Sequence, residues 1–163
     1  TGVSLILPLE ATRSVSRILP GDRARKMARW RRVLEEASCQ CGAARVPEIA
    51  EPAPLREALS GNLPLLRLAG ILQEGAVPLA GIAPAGEVAV AIGPEGDWDD
   101  GEKRALLEAG FIPVNLGPRI LKAFTAAIVA CSYLFLSWEG RERGKPQGQE
   151  IQDKDPGMQD KPI

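Results

Sequence analysis

The apolar and polar positions of this chain alternate between short apolar runs and longer segments of helical period. The plainest run is Val88-Ala89-Val90-Ala91-Ile92, which lacks polar alternation and so predicts a parallel strand covered on both faces. Leu63 to Leu72, LPLLRLAGIL, predicts another strand ending at Gln73-Glu74-Gly75, and Pro113-Val114-Asn115-Leu116 predicts a short one. Val3 to Leu9 alternates weakly, then turns apolar, and predicts a strand stopped by Pro8. Helical spacing predicts the remaining elements. Pro20-Gly21-Asp22 marks a turn with Asp22 as N-cap, and an amphipathic helix follows to about Cys41, with Met27, Trp30, Val33, Leu34 and Ala37 on one face. Gly42 takes the C′ position of that helix, Arg45 to Ile49 leaves it extended, and Pro54 opens a short helix to Ser60. Asp99 or Asp100 caps a further helix with Glu102 in its first turn, and Ala109-Gly110 closes it.

Two of the strands follow one plan. Each ends in a Gly/Pro loop, Gly93-Pro94-Glu95-Gly96 in one and Gly117-Pro118-Arg119 in the other, and a helix follows. The pattern predicts the α/β class, and glycine loops at carboxyl ends of strands are where an open α/β sheet receives a small ligand. The last helix, Leu121 to Trp138, is apolar on most sides and is expected against the sheet or a second subunit. Pro78 to Gly86 reads as a loop. From Gly140 onward the chain is polar and rich in Gly, Pro, Gln and Asp, which predicts a disordered tail.

Composition narrows the picture. With 163 residues, 45% apolar content and a net charge of −1, the chain has the makeup of one soluble globular domain, neither disordered nor a basic coat for nucleic acid. Arg23, Arg25, Lys26, Arg29, Arg31 and Arg32 crowd the first half of the amphipathic helix, as RNA phosphates or simple solvation would favour. The longest apolar stretch, Ala123 to Leu136, contains Thr125 and Ser132 and is read as a buried helix rather than a membrane span. Thr1 comes first, without Met or a signal-peptide pattern, as expected at a fragment boundary. Three cysteines, Cys39, Cys41 and Cys131, are few and odd in number, which predicts a reduced cytoplasmic protein. Cys39 and Cys41 lack the partners that a tetrahedral zinc site requires, so no metal is expected.

Chemistry is constrained by what is missing. The chain has no histidine, which removes the usual general base and every Ser/His or Cys/His nucleophile. Neither glycine loop has the Lys-Ser/Thr of a phosphate-binding loop or the spacing of a dinucleotide fingerprint. Two ordinary strand-to-helix turns remain open as a reading. Any chemistry would come from a reactive cofactor that the protein places.

The segments Ile92-Gly93-Pro94-Glu95-Gly96, Gly110-Phe111, Val114 to Lys122 and Thr125-Ala126 together resemble the paired signature of the RsmE family, the 16S ribosomal RNA uracil-N3 methyltransferases. Thr1 to Ser4, Arg13-Ser14-Val15, Trp30 to Ala37, Gln40-Cys41-Gly42 and Arg45 to Glu48 are similar to that family in the same order. The resemblance implies a SPOUT-type α/β knot, with a mainly parallel sheet and a carboxyl-terminal trefoil knot over residues 1–140, and a polar tail over 141–163. It implies S-adenosylmethionine held by Gly93, Pro94, Glu95 and Gly96 on one wall and Leu116, Gly117, Ile120 and Leu121 on the other, with Leu72 and Gln73 as further contacts. Arg119 and Arg45 become candidate catalytic residues, Arg45 and Lys122 candidate RNA contacts, and Glu36 and Gln40 candidate shapers of the site. The implied partners are the 16S rRNA of the small ribosomal subunit and a second copy in a homodimer, with no membrane and no metal.

The sequence departs from the family pattern in places. The resemblance starts inside the methyltransferase domain, so the amino-terminal PUA-like RNA-binding domain usual in the family is not expected within these 163 residues. Asp97, followed by Trp98, stands where the first motif usually has a second glycine, Phe124 where the second motif usually has a carboxylate, and Ala43 where an arginine usually follows Gly42. Three readings follow: an active rRNA methyltransferase domain, a degenerate knotted dimer serving as a binding scaffold, and a methyltransferase of transfer RNA ribose. Phe124 and Asp97 favour the second, and the intact glycine loops favour the first.

Overall fold

A computed structural model describes residues 2–15 and 18–144. Of the tail expected over residues 141–163, residues 145–163 lie outside the described residues, as do positions 16 and 17 of the polar connector, while 141–144 belong to the last helix.

The sheet is built around the run Leu66–Gly70, strand β5, which pairs in parallel with β7 (Val88–Ile92) on one side and β8 (Ile112–Asn115) on the other. Strand β6 (Val77–Pro78) pairs with the outer edge of β8, giving the order β6-β8-β5-β7. Successive side chains of a strand point to opposite faces, and here the two faces have separate cores. Ala69 and Ile71 point into a cluster with Leu55, Ala91, Trp98, Leu106 and Phe111, beneath helices α2 (Leu55–Leu59) and α3 (Asp100–Glu108). Leu68 points the other way, into Leu79, Val114, Ala130 and Leu134, the last two from helix α4 (Ala123–Gly144). The sheet is therefore sandwiched between helices, as an all-parallel sheet requires. Burying one side chain the size of Leu68 contributes about 1.5–3 kcal/mol.

The amino-terminal segment is a strap alongside this sandwich. The expected strand Val3 to Leu9 is two short strands, β1 (Leu5–Ile6) and β2 (Leu9–Glu10), which pair in parallel with β3 (Glu48–Ile49) and β4 (Ala53–Pro54). Both ladders break at prolines, Pro8 on one side and Pro52 on the other, because proline has no N–H to donate; the Pro8 carbonyl still accepts from the Ala53 amide at 3.1 Å.

Helix α1 (Arg23–Gln40) fits its expected span. Asp22 precedes it, yet its carboxylate does not cap; it pairs with Arg25 at 2.7 Å. The helix ends in a Schellman motif, with Ala43 N–H donating to the Ser38 carbonyl at 2.9 Å and Gly42 at φ +66°. Of the apolar stripe, Met27 is buried, whereas Val33 and Ala37 are exposed. The basic half is partly neutralised by ion pairs of Arg23 with Glu10, Arg25 with Asp22, Arg31 with Glu51 and Arg32 with Glu36.

Other expectations are adjusted. The run from Leu63 becomes a strand only at Leu66, because Arg67 folds back to donate to the carbonyls of Pro64 and Leu63, leaving Leu65 99% exposed. The loop expected from Pro78 contains part of β6 and a 3₁₀ turn, Leu79–Gly81. Pro78 is tolerated in a strand because β6 is an edge. Helix α4 begins two residues later than expected and continues past Gly140 to Gly144. Over Ala123–Arg141 its mean hydropathy is 1.3, so by length and composition alone the helix is long and apolar enough for a membrane span, a test that the core helix of a globular domain also passes. Ala126, Ala130 and Leu134, four residues apart, seat the helix on the sheet, while Phe124, Ile128, Val129, Leu136 and Trp138 stay exposed.

Candidate cofactor site

Because β7, β5 and β8 are adjacent and parallel, their carboxyl ends lie at one sheet edge. Gly70, the last residue of β5, is in register with Ile92 on one side and Val114 on the other. Neighbouring strands are about 4.8 Å apart, so the chain beyond β7 and the chain beyond β8 emerge about 10 Å apart on either side of Ile71-Leu72-Gln73. The topology thus brings Leu72-Gln73, Gly93-Pro94-Glu95-Gly96 and the start of the Leu116 to Leu121 segment to one edge.

The first loop is tightly supported. Gly93 sits against the Trp98 indole so closely that a Cβ there would lie 3.1 Å from Nε1. The Asp97 amide closes a turn onto the Pro94 carbonyl at 3.0 Å. Asp97 itself is left-handed, with φ +61°, and its carboxylate pairs with Lys103 at 2.7 Å. The departure at this position therefore keeps the backbone shape a glycine would give, since Asp is among the few residues that tolerate it. Gly96 packs on Arg13, whose guanidinium donates to the Gly96 carbonyl at 3.4 Å.

Behind the loop, Asp99 and Glu102 form a capping box at the start of α3. The buried Glu102 carboxylate accepts from the Asp99 amide at 2.9 Å and from the Thr12 amide, on the strap, at 2.7 Å. The Glu102 backbone N–H, and after it the Thr12 hydroxyl, hold the Asp99 carboxyl below its ordinary 3.8. One carboxylate thus ties the strap, the loop and α3 together.

The second segment borders open space. Asn115 donates to the Ala76 carbonyl at 3.0 Å, and its side-chain oxygen accepts from the Gly117 amide at 3.4 Å. Gly117 has φ +119°, a value only glycine adopts readily, and no atom stands where its Cβ would be. Beside it lies a crevice of about 200 Å³ lined by Pro78, Leu79, Ala80, Asn115, Leu116, Gly117, Val129 and Tyr133. The Tyr133 hydroxyl donates to the Ala80 carbonyl at 2.7 Å and so fixes the far wall. Of the expected contacts only Leu116 and Gly117 line this crevice, whose apolar walls beside loop backbone suit one part of a nucleoside-bearing ligand such as S-adenosylmethionine.

The remaining expected residues are distributed as follows. Leu72 and Gln73 are exposed at the edge, Ile120 is 81% exposed, and Leu121 is half-buried. Arg119 and Lys122 are exposed, and among the described residues neither enters an ion pair. Arg45, Glu36 and Gln40 do not line the crevice. Arg45 is exposed just before a separate cleft of about 280 Å³ between α1 and β3, Gln40 is exposed at the end of α1, and Glu36 is paired with Arg32. The sequence reading missed Trp98, Arg13 and Tyr133. Trp98 and Arg13 stood within quoted motifs, yet only the folded contacts give them work; Tyr133 carried no signal beyond its place in an apolar helix.

Sheet order, the edge where the three segments meet and the flanking helices define the class: the chain belongs to the family of RNA methyltransferase domains, whose model matches residues 1–135, and its α/β fold is of the SPOUT type. Among its relatives is the ribosomal RNA small subunit methyltransferase E of Synechocystis, 35% identical over 116 residues that make up 67% of this chain and 38% of the relative. That of Mycobacterium bovis is 34% identical over 137 residues, 79% of this chain and 52% of the relative. The crystal structure of the Neisseria gonorrhoeae methyltransferase E bound to S-adenosylmethionine superposes with a TM-score of 0.71 at 34% identity, covering 80% of this chain and 55% of that one. A Legionella pneumophila putative methyltransferase with bound S-adenosylmethionine gives 0.78 at 34% identity, covering 83% and 56%. The chain spans about half the length of these relatives or less.

Proposed function

We propose that residues 1–140 are the S-adenosylmethionine-dependent domain of a cytoplasmic methyltransferase that modifies N3 of a uridine in the 16S rRNA of the small ribosomal subunit. The observation that carries this reading is the meeting of three strand-end segments at one sheet edge, beside a crevice bordered by Leu116 and Gly117. The cofactor supplies an electrophilic sulfonium methyl group. The chain's task is to hold it in line with N3 of the uracil and to ease the loss of the N3 proton. Gly93 to Gly96 and Leu116 to Leu121 offer backbone amides to the adenine edge, and Leu116, Ile120 and Leu121 cover its faces. We assign Arg119, exposed and without an ion-pair partner among the described residues, to stabilise negative charge on the uracil oxygens as the N3 proton leaves to solvent. Arg45 and Lys122 are assigned to RNA phosphates or base edges.

The exposed apolar side of α4 supports a homodimer. Phe124, Ile128 and Leu136 are 67%, 59% and 64% exposed, a face that a second copy would cover. The late strand β8 lies between β5 and β6, both earlier in sequence, as a threaded carboxyl-terminal segment would require; we assign the knot to the chain from Leu116 through Lys122. The scaffold reading rests on Phe124 alone, since Asp97 keeps the loop geometry.

Calorimetric titration with S-adenosylhomocysteine tests the assignment. One site per subunit is expected, lost in a folded Gly117→Val protein. Absence of heat from a folded dimer at millimolar ligand would favour the scaffold. Mapping the methyl group on treated small subunits to a ribose rather than to uracil N3 would overturn the substrate assignment.

A further inference from the structure

We propose that Trp98 is a positioning residue for the cofactor site, locking the first glycine loop to the end of the central strand; the proposal rests on the cofactor reading above. Trp98 is 1% exposed, and its indole N–H donates to the Gly70 carbonyl at 3.2 Å. Gly70 and Ile92 are the last paired residues of β5 and β7. The indole thus takes up a backbone acceptor at the rung where the two strands part. The same ring lies against Gly93, whose Cβ, if present, would stand 3.1 Å from Nε1 and 3.3 Å from Cδ1 and Cε2.

One side chain therefore fixes both the point where Ile71-Leu72-Gln73 leaves the sheet and the point where Gly93 leaves it. These are two of the three segments proposed to touch the cofactor. The chain neighbour of Trp98, Asp99, is the N-cap of α3, so the loop that carries Trp98 runs directly into a capped helix. A buried apolar residue of similar size would fill the core, but only a ring with an N–H fills it and also holds the Gly70 carbonyl. Trp98 does not line the crevice, so its influence on the cofactor passes through the backbone of the two segments.

The test is titration of the dimeric chain with S-adenosylhomocysteine, comparing wild type, Trp98→Phe and Met27→Ala. Phe keeps an aromatic ring against Gly93 and removes the N–H that holds the loop in its binding shape before ligand arrives; restoring that shape on binding costs up to the one net hydrogen bond lost, which predicts about 3- to 10-fold weaker binding. Met27 is buried on α1, outside both core clusters, so its truncation lowers thermal stability but should leave affinity within about twofold. Equal affinity for wild type and Trp98→Phe, with only melting temperature reduced, would make Trp98 a core filler and end the proposal. A second readout uses wild type alone: the Trp98 indole N–H resonance should shift and exchange more slowly with solvent when ligand saturates. An unmoved resonance in the saturated protein would also overturn the proposal. Failure of wild type to bind at all would instead bring down the cofactor reading, and the positioning role with it.

Discussion

Glu102 offers a direct measure of how the strap is held to the cofactor loop. Its carboxylate is buried and accepts two backbone N–H groups, from Thr12 at 2.7 Å and from Asp99 at 2.9 Å. Glu102→Ala removes both acceptors. A hydrogen bond to a charged group is worth about 1.5–3 kcal/mol when buried, and both amides here are only partly buried, so we take the lower end for each and expect a loss of about 2–4 kcal/mol. For a chain of this size that corresponds to roughly 5–15 °C in melting temperature. Glu102→Gln retains one carbonyl oxygen and can satisfy one of the two amides, so it should fall between wild type and Ala, at about half the loss. The assay is thermal unfolding, with hydrogen exchange read at the Thr12 and Asp99 amides, both of which should exchange faster in Glu102→Ala. A change in melting temperature below about 2 °C, or accelerated exchange at Asp99 with Thr12 unaffected, would refute the claim that this carboxylate pins the strap.

Two further outcomes follow from the same corner of the molecule. Asp97→Gly should be near neutral, within about 0.5 kcal/mol, because relief of the left-handed backbone offsets a partly exposed ion pair worth about 0.2–1 kcal/mol; Asp97→Ala keeps the strain, loses the pair, and should cost about 1–2 kcal/mol by denaturant titration. The Asp99 carboxyl is held below 3.8 by its hydrogen bonds, so its stabilisation is complete above that pH and fades as pH drops through the lowered folded value; unfolding measured from pH 6 down to pH 3 should therefore fall more steeply for wild type than for Asp99→Asn, which keeps the cap oxygen but cannot titrate.

The parts of the fold that were legible in the sequence were those written in local terms. The uninterrupted Val88 to Ile92 run, the Asp99/Glu102 start and Gly110 end of α3, and the Gly42 stop of α1 each depend on a few neighbouring residues, and the structure has them in place. What was not legible depends on partners far along the chain. β6 is two residues long and exists because β8 supplies its ladder. Leu65 looks like a strand residue until Arg67 turns the backbone beneath it. At the site, the glycine loops announced themselves, but the meeting of their segments at one edge required the strand order, and the tie between Thr12 and Glu102 joins residues that no periodicity connects. Asp97 read as damage to a motif; its φ and its Lys103 partner make it a substitute.

The position of β8 also bears on how the chain is made. Leu68 is buried at the centre of the sheet and needs Ile112 on its open side, so the ribosome must finish β8 before that side is closed. At about 5–20 residues per second the interval between the two is roughly 2–9 s. During that time a nascent chain would present the unpaired, apolar edge of its central strand, the kind of surface that recruits neighbouring strands and chaperones. Synthesis slowed between Arg67 and Ile112 would lengthen that exposure, so the yield of soluble protein should depend on codon choice there.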